Sequence, residues 1–257
     1  NSLNSDGLPL SDSDIILSKL YGKADDKDKF NRSWKVFKSY VEDLEKKEFA
    51  SIDSILMQYM YYIRTRNGET STADGKTANV TVPGLRRYFT DINKDIIADP
   101  DTFVEKLTKL AKSWNMVVDY PCVQVLSKLN DNAKLFLASF FYRFENEVTE
   151  ADVKELVESL MKLFAILEIE DMGYSNSKFK SFLFLEEIKI ANPKITVEEI
   201  KNDFNSHITS NWNPEEVKQK INEYDKGVLV YLNEYLFAKE YNLPFDLSEK
   251  YDIEHIM

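Results

Sequence analysis

The sequence predicts a mainly α fold: a multi-helix domain of about nine helices, with short strands near Val80 and at the C-terminal tail. Three observations carry that prediction. Gly and Pro number only seven each in 257 residues, against a combined average usage of about 12%, so few positions interrupt a helix. Apolar residues recur at steps of three and four, the period of a helix that buries one face. Ser, Thr, Asp or Asn repeatedly stands just ahead of such a stripe, where a side-chain oxygen can accept from the free N–H groups of a first turn.

Taken in order, Ser11 with Asp14 three residues on forms a capping box ahead of Ile15, Ile16 and Leu20. Trp34, Phe37, Val41 and Leu44 make the next stripe, and Ile52, Ile55, Leu56, Tyr59, Met60 and Ile63 the one after. Asp99 as N-cap, with Pro100 at the first helical position, opens a helix carrying Phe103, Leu107, Leu110 and Trp114. Ala133, Phe136, Leu137, Phe140, Phe141 and Phe144 form a broad aromatic face. Thr149 caps a helix bearing Val153, Leu156, Val157, Leu160, Phe164 and Leu167, and Thr196 with Glu199 makes a second capping box before Ile200, Phe204 and Ile208. Asn213, Pro214 and Glu215 open one long last helix with Val217, Ile221, Tyr224, Val228 and Tyr231 on one face. Residues 64–83 combine Gly68 and Gly75 with many Thr, Ser, Asp and Asn, and read as a long mobile loop with a short strand at Val80 and Val82. Residues 173–178 read as a second loop. Residues 251–257, after a turn at 244–249, read as a strand.

Charge and residue counts narrow the function. With 33 basic and 44 acidic residues the formal charge is −11, which argues against a surface that binds nucleic acid all over but leaves room for a local basic patch. Arg64, Arg66, Arg86 and Arg87 bracket the long loop and are the candidate patch, since clustered guanidinium groups grip phosphate oxygens bidentately; the alternative is a solvated loop base. One cysteine, Cys122, excludes an internal disulfide and fits a reducing compartment and a small buried hydrophobe. Two histidines, His207 and His255, are too few for a zinc cage of His and Cys. His207, on a helical stretch, reads as structural, and Trp114, Tyr120 and Phe144 read as core. No apolar run approaches the roughly 18 residues of a membrane span, and no basic-then-apolar leader opens the chain, so the expected location is cytoplasmic with no membrane partner. No P-loop, serine elbow or HExxH helix is present.

The remaining motif is Asp252-Ile253-Glu254-His255-Ile256-Met257. A carboxylate beside an imidazole on a strand suits metal-assisted phosphodiester hydrolysis, in which the carboxylate holds a divalent cation and the imidazole takes the proton of an attacking water; the alternative, for so common a dipeptide, is an ordinary surface histidine.

Two phrases at the chain's ends carry a family resemblance. Leu3, Asn4, Gly7, Pro9, Leu10 and Asp14 match "L-N-x-x-G-x-P-L-x-x-x-D", and Tyr251, Ile253, Glu254, His255 and Ile256 match "Y-x-I-E-H-I". Between them Tyr231, Leu232 and Tyr235 through Glu240 match a "Y-L-L-x-x-x-E" helix. In that order they resemble the GmrSD-like family of modification-dependent restriction proteins. The resemblance implies a ParB-like N-terminal domain, a helical middle and a C-terminal HNH nuclease. On this reading residues 1–20 are the edge of the upstream domain with its leading helix, 21–250 the helical domain with its loop at about 64–83, and 251–257 the first strand of a truncated nuclease domain. It implies a parent restriction endonuclease that recognises and cleaves foreign, modified DNA in phage defence. That parent would use magnesium or manganese and a nucleoside triphosphate, with Glu254 as metal ligand and His255 as catalytic general base. The family's "D-G-Q-Q-R" phrase is absent, so the chain is expected to hold no cofactor and to be inactive alone. The middle helices also carry fewer Arg residues than the family shows there. The rival reading is a non-catalytic helical module for protein interaction or regulation.

Overall fold

The computed structural model describes residues 10–70, 82–144, 149–170, 176–223, 227–245 and 247, with the backbone alone at 176 and 177. The fold is mainly α: twelve α-helices and one π-helical turn, with no strand among the described residues. The expected strand at Val80, most of the loop around it and the expected tail strand at 251–257 lie outside the described residues.

The chain divides into two compact units, Asn1–Ile63 with Thr81–Met116, and Arg64–Val80 with Val117–Met257. The first unit is built from α1 (Asp12–Lys23), α2 (Lys27–Lys46), α3 (Ile52–Arg66) as far as Ile63, α4 (Leu85–Arg87), the π-helical turn Tyr88–Ile92, and α5 (Pro100–Val117) as far as Met116. Ser11 caps α1 as its spacing requires: its hydroxyl accepts from the Asp14 N–H at 3.1 Å while Asp14 accepts the Ser11 N–H at 3.2 Å. Asp99 accepts the Thr102 N–H at the start of α5. The core of this unit is aromatic. Phe103 meets Tyr59 and Phe89 edge-on at 5.4 and 5.3 Å between ring centroids, and Phe49 lies 5.0 Å from Trp114. Trp114 is fully buried, and its indole N–H donates to Oε1 of Gln58 at 2.7 Å, itself 2% exposed.

The second unit holds α6 (Pro121–Leu129), α7 (Asn132–Phe144), α8 (Glu150–Glu170), α9 (Asn176–Ile190), α10 (Val197–Asn211), α11 (Pro214–Glu223) and α12 (Gly227–Tyr241). Helix α8 is its axis: α6, α10, α11 and α12 all pack on it, while α7 packs on α9 and on α6. The caps read from sequence are present. Thr149 and Asp152 exchange bonds at the start of α8, Thr196 and Glu199 at the start of α10, and Asn213 accepts the Glu215 N–H at the start of α11.

Three boundaries differ from the sequence reading. Helix α3 runs through Arg66, inside the stretch expected to be loop, and stops where Gly68 takes φ +71 and the Glu69 N–H closes on the Arg64 carbonyl at 2.8 Å, a left-handed helix ending that glycine adopts without strain. Helix α9 already begins at Asn176, inside the second expected loop. The single last helix is two, α11 and α12. Their apolar period continues because Val217 from one and Val228 and Leu229 from the other enter the same small core with Ile169, so the stripe persists although the helix does not. Helix α6 announces itself only by Pro121 at its first turn.

The Trp114–Gln58 bond should be measurable. Trp114→Phe puts a smaller ring in the site and leaves the buried Gln58 carbonyl without its indole donor, so denaturant unfolding should show a loss of at least about 1–3 kcal/mol, the lost bond and the cavity acting in the same direction; an unchanged midpoint would contradict a buried, hydrogen-bonded indole.

Candidate functional site

Glu254 and His255, the sequence's catalytic pair, lie outside the described residues, as do Leu3 to Pro9 of the opening phrase. Of that phrase, Leu10 is exposed and Asp14 is the partner in the α1 capping box. Of the four arginines, Arg86 and Arg87 are exposed neighbours on α4 in the first unit, where the Arg86 backbone N–H donates to Asp12 at 3.2 Å. Arg64 and Arg66 end α3 in the second unit. Arg66 is exposed; Arg64 is 3% exposed, with Nε 4.0 Å from the Glu69 carboxylate.

Buried acids gather on α9. Glu187 accepts a hydrogen bond from the Thr65 hydroxyl at 3.1 Å. Its complete burial pushes its carboxyl up to about 8, against the opposing pull of Thr65 and the Arg64 guanidinium, so at neutral pH it is largely a protonated acid. Glu186, on the next residue, is pushed up to about 7 by burial, with Lys189 opposing and Asp203 reinforcing the shift. Lys189 joins Glu186 at 2.6 Å to Asp203 on α10 at 2.7 Å. One turn along α10, His207 stacks on Phe182 with ring centroids 3.8 Å apart, and burial followed by the charge of Lys189 lowers its pKa. These groups tie α9 to α10 and to the end of α3, which is a structural task.

A concave site lies elsewhere in the same unit, where α6, α8 and α12 converge on a cleft of about 260 Å³. Glu158, from the middle of α8, is its polar centre. A single oxygen, Oε1, accepts both the Tyr235 hydroxyl and the Lys239 ammonium at 2.8 Å. Burial works against the Glu158 charge, but these two donors outweigh it and hold its carboxyl below the ordinary value. One turn earlier on α8, Lys154 lies 4.4 Å over the Tyr120 ring and 3.1 Å from Glu150. Cys122 lines the cleft beside them, and burial, with the charge of Glu158, raises its thiol to about 11. Burial and the bond to Glu150 raise the Tyr120 phenol to about 12, and burial and Glu158 raise that of Tyr235 as well.

The cleft therefore offers neutral phenols, one carboxylate and two ammonium groups beside Leu243 and Phe245. A protonated thiol is a poor nucleophile and a poor metal ligand, so Cys122 works there as packing. Among the described residues no cluster of three His, Cys, Asp or Glu side chains is placed to hold a metal ion. The arrangement suits noncovalent binding rather than covalent chemistry. Sequence reasoning missed these residues. Their only trace there is spacing: Lys154 with Glu158, and Tyr235 with Lys239, each four apart and so on one helix face; nothing in the sequence joins positions about eighty residues apart. No protein-family model, curated protein or solved structure matches the chain.

The Glu187 carboxyl fixes a pH dependence. Its folded pKa lies above the unfolded value, so its stabilising share is present below about pH 4.5 and is lost as pH rises through about 8. Glu187→Gln keeps the shape without the titration. Relative to wild type, the variant should gain stability between pH 5 and pH 8.5 on the order of a few kcal/mol, read as diverging urea midpoints; parallel midpoints would contradict a buried neutral acid.

Proposed function

We propose that this chain is the helical part of a protein that recognises and cleaves foreign, modified DNA in the manner of the GmrSD-like restriction proteins. The observation that carries the proposal is the ordered pair of phrases, Leu3 to Asp14 and Tyr251 to Ile256, with the Tyr231 to Glu240 helix between them. The chemistry of the donor set agrees with it. The Glu254 carboxylate is a hard oxygen ligand of the kind a magnesium or manganese ion takes, and the neighbouring His255 supplies an imidazole, the side chain most often used as a general base. A bound divalent cation supplies positive charge to the scissile phosphate. His255 would take the proton of the attacking water, and the Glu254 carboxylate would hold the cation. The nucleoside triphosphate implied by the resemblance is assigned to the upstream domain rather than to any residue of this chain. Arg86 and Arg87 in the first unit and Arg66 in the second, all exposed, are candidate groups to meet a phosphate backbone.

The reading is tested on the longest natural polypeptide that contains this sequence. With magnesium or manganese it should cleave modified DNA, and His255→Ala should lower the rate by about 10²–10⁴ without changing helicity. Glu254→Gln should raise the metal concentration needed for half-maximal rate, whereas the 257-residue chain by itself should not cleave. Full activity of the His255→Ala polypeptide would remove the assigned role. Absence of DNA cleavage under every condition would favour the non-catalytic interaction module.

A further inference from the structure

The cleft beside Glu158 is bordered by two like arrangements of glutamate, lysine and tyrosine. In the first, Glu150 accepts the Tyr120 hydroxyl and lies 3.1 Å from Lys154, whose ammonium stands 4.4 Å over the Tyr120 ring. In the second, Glu158 accepts the Tyr235 hydroxyl and the Lys239 ammonium at 2.8 Å, and that ammonium stands 5.7 Å over the Tyr235 ring. Each lysine is thus held in place by one carboxylate and one ring face. An ammonium carries three N–H donors, and the carboxylate oxygen beside it takes one.

Much of the remaining lining is apolar. Asn242 follows α12 at φ +52, and the Leu243 N–H closes on the Ala238 carbonyl at 2.9 Å, a left-handed helix ending. The chain beyond that turn comes back to the helix, where Phe245 meets the Tyr235 ring edge-on at 6.0 Å between centroids. Leu243, Phe245 and the buried Cys122 and Ala238 all line the cleft.

We propose that this cleft binds a small organic monoanion, a carboxylate joined to a single aromatic ring, with the carboxylate on the ammonium groups of Lys154 and Lys239 and the ring against Leu243 and Phe245. Donor chemistry selects the charge. The one hydrogen of each phenol is spent on a carboxylate, so the two ammonium groups are the charged donors that face the cleft. A cation would have to enter beside both of them and compete for a Glu158 oxygen that already accepts two donors. A dianion would meet the Glu158 charge with twice the repulsion of a monoanion. Size selects the rest. A cleft of about 260 Å³ falls just below the roughly 300–1,000 Å³ of ordinary ligand pockets, so one ring with a short acidic arm suits it better than a nucleotide. The proposal does not rest on the nuclease reading, and either can fail without the other.

The test is titration of the complete 257-residue chain with phenylacetate, followed by backbone amide chemical shifts. So small a ligand should bind with a dissociation constant on the order of 1 mM and shift the amides of Cys122, Ala238 and Leu243. Added salt should weaken the binding, because the contact joins opposite charges. Lys154→Gln and Lys239→Gln should each weaken it at least about fivefold, with helicity unchanged because both side chains are half-exposed. Glu158→Gln keeps an oxygen for Tyr235 and Lys239 but removes the negative charge, and should tighten the binding a few-fold. Lys218→Gln, at an exposed position on α11, should leave it unaltered. No binding up to about 20 mM, indifference to either cleft lysine, or weaker binding by Glu158→Gln would each overturn the proposal. Equal binding of the uncharged phenylethanol, or tighter binding of the dianion phenyl phosphate, would overturn it as well.

Discussion

Helix α8 is buried at eleven of its 21 positions, from Val153 through Ile169 to Glu170, and four other helices are needed to cover it. Glu155, Lys162 and Glu168 keep their charges in water, whereas a polar group on the covered side must find a partner inside. Glu158 finds two, Tyr235 and Lys239, both on α12. Glu170 accepts the Asn213 N–H at 2.5 Å, which fixes the start of α11 against the end of α8. The second Glu170 oxygen is buried without a partner among the described residues, and burial raises that carboxyl. Packing on this one helix thus brings Glu170 to the start of α11 and Glu158 to the donors of α12.

Helix α9 meets the same constraint with less compensation. Glu186 and Glu187 are adjacent in sequence, so they leave the helix about 100° apart. One reaches Lys189 and Asp203 and the other Thr65. Burying two carboxyls so close together is tolerable because burial favours their neutral forms near physiological pH. The cost is a second unit whose packing depends on protons as well as on apolar contacts. The first unit shows a contrast: its buried pair Trp114 and Gln58 is uncharged and joined by an indole N–H to carbonyl bond.

The candidate sites were legible to different degrees. The capping residues Ser11, Asp99, Thr149, Thr196 and Asn213 all act as their spacing implied, because a cap is local: three or four residues settle it. The burial of Cys122, Trp114 and Phe144 was also readable, from apolar surroundings at helical spacing. The burial of Arg64 was not, since it depends on α9 and on Glu69, and an arginine in a Gly-, Thr- and Asp-rich stretch reads as exposed. The Glu158 cleft was illegible for the same reason. Its walls come from Tyr120, Lys154 and Lys239, and each of them alone is an ordinary helix residue.

By itself, the sequence determined the helical class, the positions of most helix starts and which stripes are apolar, because those follow from local hydrogen bonding and a 3.6-residue period. It also carries, as a property of the string alone, the two end phrases Leu3 to Asp14 and Tyr251 to Ile256. Only the tertiary structure decided that the chain forms two units, that the last apolar stripe is divided between α11 and α12, and that α8 rather than another long helix is enclosed. Only it decided which apolar residues of α12 stay in water. The physical reason is that a helix with apolar residues on every side has no preferred inner face until its neighbours arrive. Pattern selects the element, and the contacts of residues distant in sequence select which side of it is buried.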